Sequence, residues 1–423
     1  MYPLGRRGAC IVGRSAVSDD EPVWGSGRRQ RASARRAAVL VVASAAWAGG
    51  VVGLTPDSTA GATPSRPPAS APLTSALVDP TGRAWLVVPM GDLSQAANTF
   101  WQVLERPSAS APWALVTPPG VADNGGLVAT AGPGGAVVSF LPSQSLRFTP
   151  LASTTDGGAS WVAGLVPAAL DAAPDALAAT GSALWALVDR GGRLLAGRSS
   201  GGAWRTVLTS SALADSAAGR RCQPRRLLAV AAGPGDTALL AAACRRPGEA
   251  GLFAQSATVA GGVSTVAVAV PSTDRVRVLR LVATGAGSAA SAGAVALLAE
   301  ETRVGASLVV ASLSPGGRTS LSGDLRLDGR RLVATGSGPG GELYVLLRTP
   351  AGAEQLTVEA AGRWDYLPAP PRGTVAVALS PGRTDVVTVH SSTLTDYTLD
   401  PAVLLRWRRT QVLRVPVQYG SSS

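Results

Sequence analysis

The sequence predicts an all-β fold built from one repeated unit, and two observations predict it: the composition and a phrase that recurs along the chain. Of the 423 residues, 46% are hydrophobic and 15% are charged, and the chain has 50 Gly and 31 Pro. This composition favours many short, buried strands joined by tight turns over long helices with charged faces.

The recurring phrase is a short apolar run, a turn that contains Gly or Pro in most copies, and a second apolar run that often contains an aromatic residue. It occurs seven times, and the copies begin at Leu77, Leu127, Leu177, Leu227, Leu281, Leu332 and Val375. Successive copies are separated by 50, 50, 50, 54, 51 and 43 residues. A unit of this length cannot bury its own faces and stacks beside its copies. The sequence therefore predicts a seven-bladed β-propeller, with rings of six or eight blades as the alternatives.

Each phrase is interpreted as the two inner strands of a blade, since continuous apolar runs are typical of strands covered on both faces. The second half of most units ends in a small turn followed by a Trp, which gives four antiparallel strands per blade. Ring closure stays open, because residues 410–417 supply either a strand that pairs with the first blade or a tail. We expect six aromatic side chains to pack between blades: Trp85, Trp113, Trp185, Trp204, Tyr344 and Trp364.

An N-terminal apolar segment predicts export. Residues 37–54 carry no charge over 18 positions and follow five Arg between positions 28 and 36, a pattern typical of a membrane helix or signal peptide with a cytoplasmic start. Small residues at 60–62 offer a cleavage site, and the length of the segment does not separate a cleaved signal from a single transmembrane helix. Both alternatives place the rest of the chain outside, either anchored to the cell membrane or secreted.

Four segments follow from these patterns. Residues 1–36 are predicted to form a disordered, Arg-rich cytoplasmic tail, and residues 37–54 form the signal or transmembrane segment. Residues 55–73 are rich in Pro, Ala and Ser and offer too little apolar surface to fold, so they form a flexible linker. Residues 74–420 form the propeller.

Two cysteines are predicted to pair. Cys222 and Cys244 are the Cys residues of the exported part, and they lie at the far ends of two apolar runs that read as a hairpin. An oxidising compartment favours a disulfide between them. The alternative is a pair of buried free thiols.

One turn carries a recognisable motif: residues 154–161 read Thr-Thr-Asp-Gly-Gly-Ala-Ser-Trp. In such a turn an Asp carboxylate accepts backbone N–H groups, Gly takes a positive φ, and a Trp ring packs on the neighbouring blade. The motif resembles the Asp-box of the BNR-repeat propellers found in sialidases, and the repeat period extends the resemblance over residues 74–420. The residues that match its pattern, S/T-x-D-x-G-x-T/S-W, are Thr154, Asp156, Gly158, Ser160 and Trp161.

The resemblance to sialidases implies three Arg around a substrate carboxylate, a Tyr–Glu nucleophile and an Asp acid, but the motifs here are degenerate. Ser199 and Glu359 stand at the Asp position of two other turns. The first predicted blade offers Arg83 and Arg106 and lacks the Phe-Arg-Ile-Pro phrase of that family. Asp156 belongs to an outer turn, so its role is expected to be structural.

Other catalytic patterns do not emerge from the sequence. The chain has one His, His390, which cannot form a His-based metal cluster, has no triad motif around it, and is expected to fill space in a strand. The adjacent Glu300 and Glu301 are typical of a solvated strand edge. The sequence therefore predicts no catalytic residues, no metal site and no cofactor.

The charge is mild once it is divided along the chain. Residues 1–36 hold eight Arg and three acidic residues, or +5 of the total +11, and the remainder holds 30 basic and 24 acidic residues. No Arg run alternates with aromatic residues, so nucleic acid is not an expected partner. The preferred hypothesis is a noncatalytic extracytoplasmic module or scaffold that binds a protein or glycan at one face of the ring. The alternatives are a sialidase-like glycoside hydrolase and an assembly factor for a membrane complex.

Overall fold

Seven antiparallel sheets follow one another along the chain in the computed structural model, and each is formed by consecutive strands. These sheets are blades 1 to 7 of a ring, and they confirm the predicted all-β fold and the seven-bladed β-propeller. Each recurring phrase of the sequence supplies the first hairpin of one blade. The repeat therefore marks the two inner strands, as predicted.

The structure describes residues 75–416 with internal gaps, and these residues belong to a compact unit of residues 64–423. The predicted tail, apolar segment and linker, residues 1–73, lie outside the described residues. None of the helices in the described part has the length and apolar character needed to cross a bilayer. The internal gaps are 80, 92–98, 119–125, 131–133, 141–148, 163–168, 181–182, 199–202, 234–235, 247–248, 257–262, 269–274, 285–292, 303–304, 314–318, 339–340 and 401–405.

The first four blades each have four strands. Blade 1 consists of β1 (Ser75–Val78), β2 (Ala84–Gly91), β3 (Thr99–Arg106) and β4 (Ala114–Leu115). Blade 2 consists of β5 (Gly126–Thr130), β6 (Ala136–Phe140), β7 (Thr149–Thr154) and β8 (Ala169–Leu170). Blade 3 consists of β9 (Ala176–Thr180), β10 (Ala183–Val188), β11 (Arg193–Arg198) and β12 (Arg205–Thr209). Blade 4 consists of β13 (Arg226–Ala232), β14 (Thr237–Ala243), β15 (Ala250–Ser256) and β16 (Val263–Val268).

The last three blades follow the same order from the channel outwards. Blade 5 consists of β17 (Arg275–Thr284), β18 (Gly293–Thr302), β19 (Gly305–Leu313), β20 (Thr319–Leu321) and β21 (Leu325–Arg326). Blade 6 consists of β22 (Arg331–Ser337), β23 (Leu343–Arg348), β24 (Glu354–Ala360) and β25 (Arg363–Tyr366). Blade 7 consists of β26 (Thr374–Ser380), β27 (Arg383–His390), β28 (Thr393–Asp400) and β29 (Arg406–Arg414).

Two local features depart from the prediction of four strands in every blade. In blade 5 the outer position is divided, because β20 and β21 both pair with β19. After blade 3 the chain forms one short helix, α1 (Ser210–Asp215), whose first turn is capped by Thr209 Oγ1 accepting from Ala212 N at 3.0 Å. The helix covers the edge between blades 3 and 4, where Leu213 is buried.

The inner strands are continuous apolar runs because both of their faces are buried. In β2, Leu86 and Val88 pack towards blade 7, whereas Trp85 and Val87 pack towards blade 2. Successive side chains of a strand point to opposite faces, so the middle of a strand between two other blades packs on both faces, and exposed residues such as Arg226 and Arg331 lie at strand ends. The core therefore consists of seven buried clusters, one between each pair of neighbouring blades.

The ring closes without a shared strand. Blade 1 takes all its strands from the beginning of the described region, and blade 7 takes all its strands from the end. Residues 406–414 form the outer strand of blade 7 and pair with β28. Both alternatives for residues 410–417, a strand on blade 1 or a tail, are therefore wrong. Among the described residues, side-chain contacts and one backbone hydrogen bond, from Gly91 N to Ser391 O at 3.0 Å, join the first and last blades.

A buried ion pair lies at this closing interface. Arg106, at the end of β3, donates from Nη1 to Asp385 Oδ2 at 2.5 Å, and both side chains are fully buried. Arg106 Nη2 donates to Ser380 Oγ at 2.9 Å. The same guanidinium lies over the Trp113 ring, with its carbon 4.9 Å from the ring centroid. One arginine of blade 1 thus bonds two side chains of blade 7 and stacks on its own blade.

Hydrogen bonds to the backbone extend the closure. The Gln411 amide of β29 accepts from Trp113 N at 2.7 Å and donates to Trp113 O at 2.8 Å. Arg383 of blade 7 donates from Nη1 to Ala109 O at 2.5 Å. These partners are 274 to 298 positions apart in the sequence, so they form only when the ring is complete.

We predict that Asp385→Ala lowers the free energy of unfolding by about 3–5 kcal/mol, because it leaves the Arg106 guanidinium buried without its carboxylate. Urea unfolding followed by tryptophan fluorescence measures this loss. The matched control is Asp171→Ala, which removes an exposed ion pair with Arg193 and is expected to cost about 1 kcal/mol or less. Equal losses in the two variants would contradict the role assigned to the closing pair.

Candidate functional site

The inner strands of blades 1 to 6 surround a cavity of about 580 Å³ in the centre of the ring. Of its 23 described lining residues, 19 are Ala, Val or Leu. A largely apolar cavity of this size with few polar groups is typical of sites for small molecules. The four other lining residues are Asp175, Arg280, Ser337 and Gly338.

Arg280 brings a guanidinium into this cavity from the innermost strand of blade 5. The pairing of β17 with β18 shifts between Val278 and Arg280, which leaves Leu279 as an extra residue in the strand. Such a bulge changes which side chains face each side. The period of two is interrupted there, and the Arg280 guanidinium reaches acceptors on blades 6 and 1.

Three hydrogen bonds hold the Arg280 guanidinium, and all of them go to uncharged acceptors. Nη1 donates to Thr335 O at 3.1 Å, and Nη2 donates to Ser337 Oγ at 3.2 Å, both on the inner strand of blade 6. Nη2 also donates to Ala76 O of blade 1 at 3.1 Å. The guanidinium therefore links blades 5, 6 and 1 across the channel.

The charge of Arg280 is dehydrated but present at neutral pH. The Arg280 residue is half-buried, and its exposed part faces the cavity. Protein atoms packed around the guanidinium displace water from it. This dehydration lowers the pKa of Arg280 to about 10. A cation with that pKa stays protonated near neutral pH, in a cavity that is otherwise almost entirely apolar.

Asp175 is the other ionisable residue among the described lining residues, and its carboxylate accepts a hydrogen bond within its own blade. It precedes β9 at the start of the inner strand of blade 3, where its Oδ2 accepts from Gly191 N at 2.9 Å. The residue is exposed. Asp175 therefore fixes a turn of its own blade, and its position gives the cavity one acidic group besides the Arg280 cation.

A second, smaller cleft of about 210 Å³ lies between blades 6 and 7. It is lined in part by Glu342, Tyr344 and Arg383. Partial burial raises the pKa of Tyr344, and the nearby Glu342 charge raises it further. Tyr344, predicted to pack between blades, is half-buried there and also packs on the apolar cluster of this interface.

The structure gives the predicted motif turn, residues 154–161, a closed set of hydrogen bonds. Asp156 Oδ1 accepts from Thr154 Oγ1 at 2.7 Å and from Ser160 N at 2.9 Å, and Asp156 Oδ2 accepts from Ser160 Oγ at 2.5 Å. Gly158 has φ of +82° and donates from its N–H to Thr154 Oγ1 at 3.0 Å. The turn lies at the outside of blade 2, away from the channel, so Asp156 is not part of the cavity.

Trp161 connects this turn to the preceding blade. Its Nε1 donates to Val116 O at 2.8 Å, and its ring packs edge-on to Trp85 with centroids 6.2 Å apart. Trp364 and Trp407 repeat the contact, donating from Nε1 to Gly323 O at 2.9 Å and to Pro368 O at 3.1 Å. The same indole bond to the blade before therefore occurs in blades 2, 6 and 7, although the Asp of the motif occurs in one of these turns.

The structure places all six predicted packing aromatics between neighbouring blades. Trp85, Trp113 and Trp185 are almost fully buried, whereas Trp204, Tyr344 and Trp364 are half-buried. Each belongs to, or packs against, one of the interface clusters, so aromatic rings contribute to six of the seven interfaces. They are Trp85 between blades 1 and 2, Trp113 between 7 and 1, Trp185 between 3 and 4, Trp204 between 2 and 3, Tyr344 between 6 and 7, and Trp364 between 5 and 6.

The two cysteines lie as the hairpin interpretation predicts. Cys222 precedes β13 and Cys244 follows β14, and the structure joins them by a disulfide across 22 positions of sequence. Both are buried beside Phe253 in the cluster between blades 3 and 4. The disulfide ties the segment after α1 to the first hairpin of blade 4.

Two minor sequence predictions are wrong. Glu300 is not on a solvated edge: it is 95% buried in β18, where burial raises its pKa and the charge of Asp324 raises it further. His390 does not fill the interior of a strand, because it ends β27 and is exposed. Both errors have the same cause: the sequence of a strand does not show which end of the strand is exposed to solvent.

The arginines that the sequence offered for a catalytic site lie elsewhere. Arg83 pairs with Glu105 within blade 1, Nη1 to Oε1 at 2.5 Å, and Arg106 belongs to the closing interface. Sequence reasoning missed Arg280. Its signal is the spacing in RVRVLRLV, where Arg275 and Arg277 are two apart and Arg280 follows after three, which breaks the period of a strand and predicts a bulge.

We predict that Ser160→Ala raises the pKa of Asp156, because the Ser160 hydroxyl is the largest cause that lowers it to about 2. The usual value is about 3.9. Since the folded-state pKa lies below that value, the carboxylate stabilises the turn above pH ~3.9 and this contribution is lost as the pH falls through about 2. Carboxyl NMR titration measures the shift, with Ser211→Ala as control. An unchanged pKa in Ser160→Ala would show that the bond is not formed in solution.

The similarity found between this chain and known proteins is structural. No family model and no curated protein matches it. A crystal structure of a protein from Lactobacillus plantarum is 15% identical, with a TM-score of 0.49 over 78% of this chain and 96% of that chain. The β-propeller domain of the Trilobed protease from Pyrococcus furiosus is 8% identical, with a TM-score of 0.43 over 81% of this chain and 96% of that one. The six-bladed fungal lectin of Aleuria aurantia is 12% identical, with a TM-score of 0.42 over 72% and 96%.

Proposed function

We propose that this chain is a noncatalytic binding or scaffold module that is either held outside the membrane by its N-terminal segment or secreted, with a protein or glycan as partner at one face of the ring. The observation that carries the proposal is the character of the central cavity. Its described lining is 19 apolar residues with one guanidinium and one carboxylate. Such a lining favours holding a ligand over general acid–base chemistry, which needs titratable groups close together.

The rigidity of the ring supports a scaffold role. The closing interface is fixed by the fully buried pair of Arg106 and Asp385, and indole N–H groups tie three blades to the blade before them. A disulfide and seven apolar interfaces add to this. A body that does not change shape presents the loops at its faces in fixed positions, which lowers the entropy lost when a partner binds.

The proposed location rests on two features of the sequence and structure. Residues 37–54 have the length and apolar character of a signal or membrane segment and follow an Arg-rich stretch. The Cys222–Cys244 disulfide is the state that an oxidising compartment maintains. A resemblance of one outer turn to the BNR-repeat propellers is compatible with a glycan partner.

The sialidase-like alternative requires three Arg around a substrate carboxylate. Among the described residues that line the central cavity, Arg280 alone carries a guanidinium, and Arg83 and Arg106 are engaged within blade 1 and at the closing interface. The assembly-factor alternative shares the binding chemistry of the main proposal and differs in its partner, which would be a subunit of a membrane complex.

We predict that the full-length chain retains a protein or glycan partner without converting it. The measurement applies the purified chain to a glycan array and, after cross-linking in membranes, identifies bound proteins by mass spectrometry. The control is the chain unfolded in urea and reduced. Release of free sugar from a sialoside by the folded chain would contradict the noncatalytic proposal and favour the hydrolase, whereas a membrane-complex subunit as the cross-linked partner would favour the assembly factor.

We also predict that Cys222 and Cys244 of the full-length chain are oxidised when it is isolated from its own membranes or medium. Peptide mass spectrometry after alkylation without reduction should find the linked pair, and the double variant Cys222→Ala/Cys244→Ala should lose about 2–4 kcal/mol of unfolding free energy. The single exposed substitution Ser110→Ala is the control. Free thiols at both positions in the native protein would contradict the extracytoplasmic location.

A further inference from the structure

Among the described residues, none that accepts a hydrogen bond from the Arg280 guanidinium carries a negative charge. Its three hydrogen bonds go to two backbone carbonyls and one hydroxyl. Asp175, the carboxylate that lines the same cavity, accepts from Gly191 N instead. A dehydrated cation bonded only to neutral groups lies in an unfavourable field, because neutral dipoles replace the water it has lost but do not cancel its charge.

The guanidinium also has donors to spare. An Arg side chain has five N–H donors, and the three bonds to Ala76, Thr335 and Ser337 account for three of them. These bonds fix the plane of the group between blades 5, 6 and 1. The remaining donors are Nε–H and one N–H of Nη1, and each can donate a charge-assisted hydrogen bond to a carboxylate oxygen.

The space beside Arg280 is suited to the rest of such a ligand. Leu77, Leu127, Leu177, Leu228 and Leu281 line the cavity together with Val and Ala side chains, so a hydrocarbon body would replace water along most of its surface. A cavity of about 580 Å³ lies within the usual size range for small-molecule sites, about 300–1,000 Å³. The lining thus combines one fixed cation with an extended apolar wall.

We propose that the central channel binds a small organic acid, with its carboxylate on the Arg280 guanidinium and its hydrocarbon body against the Leu, Val and Ala side chains of the inner strands. This rests on the proposed function, since it gives the binding module a ligand of defined chemistry. A negative headgroup supplies the missing countercharge, and the apolar body gains from leaving water.

The experiment compares headgroups on the same hydrocarbon. Butyrate, octanoate and dodecanoate are titrated into the full-length chain by calorimetry, beside the alcohol and the amine of each length. We expect at least one acid to bind about tenfold more tightly than its alcohol, since charge-assisted hydrogen bonds are roughly twice as strong as neutral ones, and the amine to bind more weakly than either. Equal binding of the three headgroups, or no binding of any acid, would overturn the proposal.

Variants assign the effect to the channel. Arg280→Met should abolish the preference for the acid over the alcohol, Arg280→Lys should keep part of it, and Arg372→Met, which changes an exposed arginine, should keep all of it. Persistence of the preference in Arg280→Met would overturn the assignment. Because that variant also loses three hydrogen bonds, its fold is checked by circular dichroism, and if it does not fold, the headgroup comparison on the unmodified chain decides.

The test separates this inference from the function on which it rests. A chain that binds its protein or glycan partner but shows no preference for acids would overturn the channel site and leave the binding module intact. A chain that retains neither would overturn both. Preference for the acid in the unmodified chain together with its loss in Arg280→Met supports the site.

Discussion

The contact between the first and last blades is the constraint on which the rest of the molecule depends. The other six interfaces are crossed by the chain itself, whereas blades 1 and 7 are joined by Arg106, Asp385, Gln411 and the apolar cluster around Trp113. A buried ion pair gains little net free energy over an apolar contact, because both charges lose water. The pair contributes specificity, since Asp385 also pairs with Arg383 of its own blade and a misplaced blade would leave the Arg106 guanidinium buried without a carboxylate. The polar pair therefore determines which edge closes on which.

The channel depends on that closure. Arg280 of blade 5 donates to Ala76 O of blade 1, so one of its three anchors exists only in the complete ring. The apolar wall has the same origin, because inner strands buried on both faces are rich in Ala, Val and Leu and present these side chains to the channel as well. The ring thus creates a cavity with one cation held in a defined place. The proposed binding function rests on this cavity and on the one guanidinium among its described lining residues.

Much of the architecture could be predicted from the sequence because its cause is local. Short stretches of sequence are enough to recognise three features: the period of about 50 residues, the burial of the inner strands on both faces, and the hairpin between Cys222 and Cys244. Ring closure was not predictable, because Arg106 and Asp385 are 279 positions apart and neither lies in a motif. The position of Arg280 was missed for a different reason: the break in the spacing of RVRVLRLV indicates a bulge, but it does not show that the guanidinium reaches blades 6 and 1. The turn at Asp156 forms the hydrogen bonds expected of its carboxylate, but Asp156 is not among the described residues that line the cavity.

The most direct test of the central claim is native-state hydrogen exchange, residue by residue, on the unmodified chain and on Asp385→Asn. If side chains at the closing interface hold the ring, the variant should lose amide protection in blades 1 and 7 together, in the strands between residues 75 and 115 and between 374 and 414, while blades 3 and 4 keep theirs. Loss of protection spread evenly over all seven blades, or confined to the strand that carries Asp385, would contradict the account.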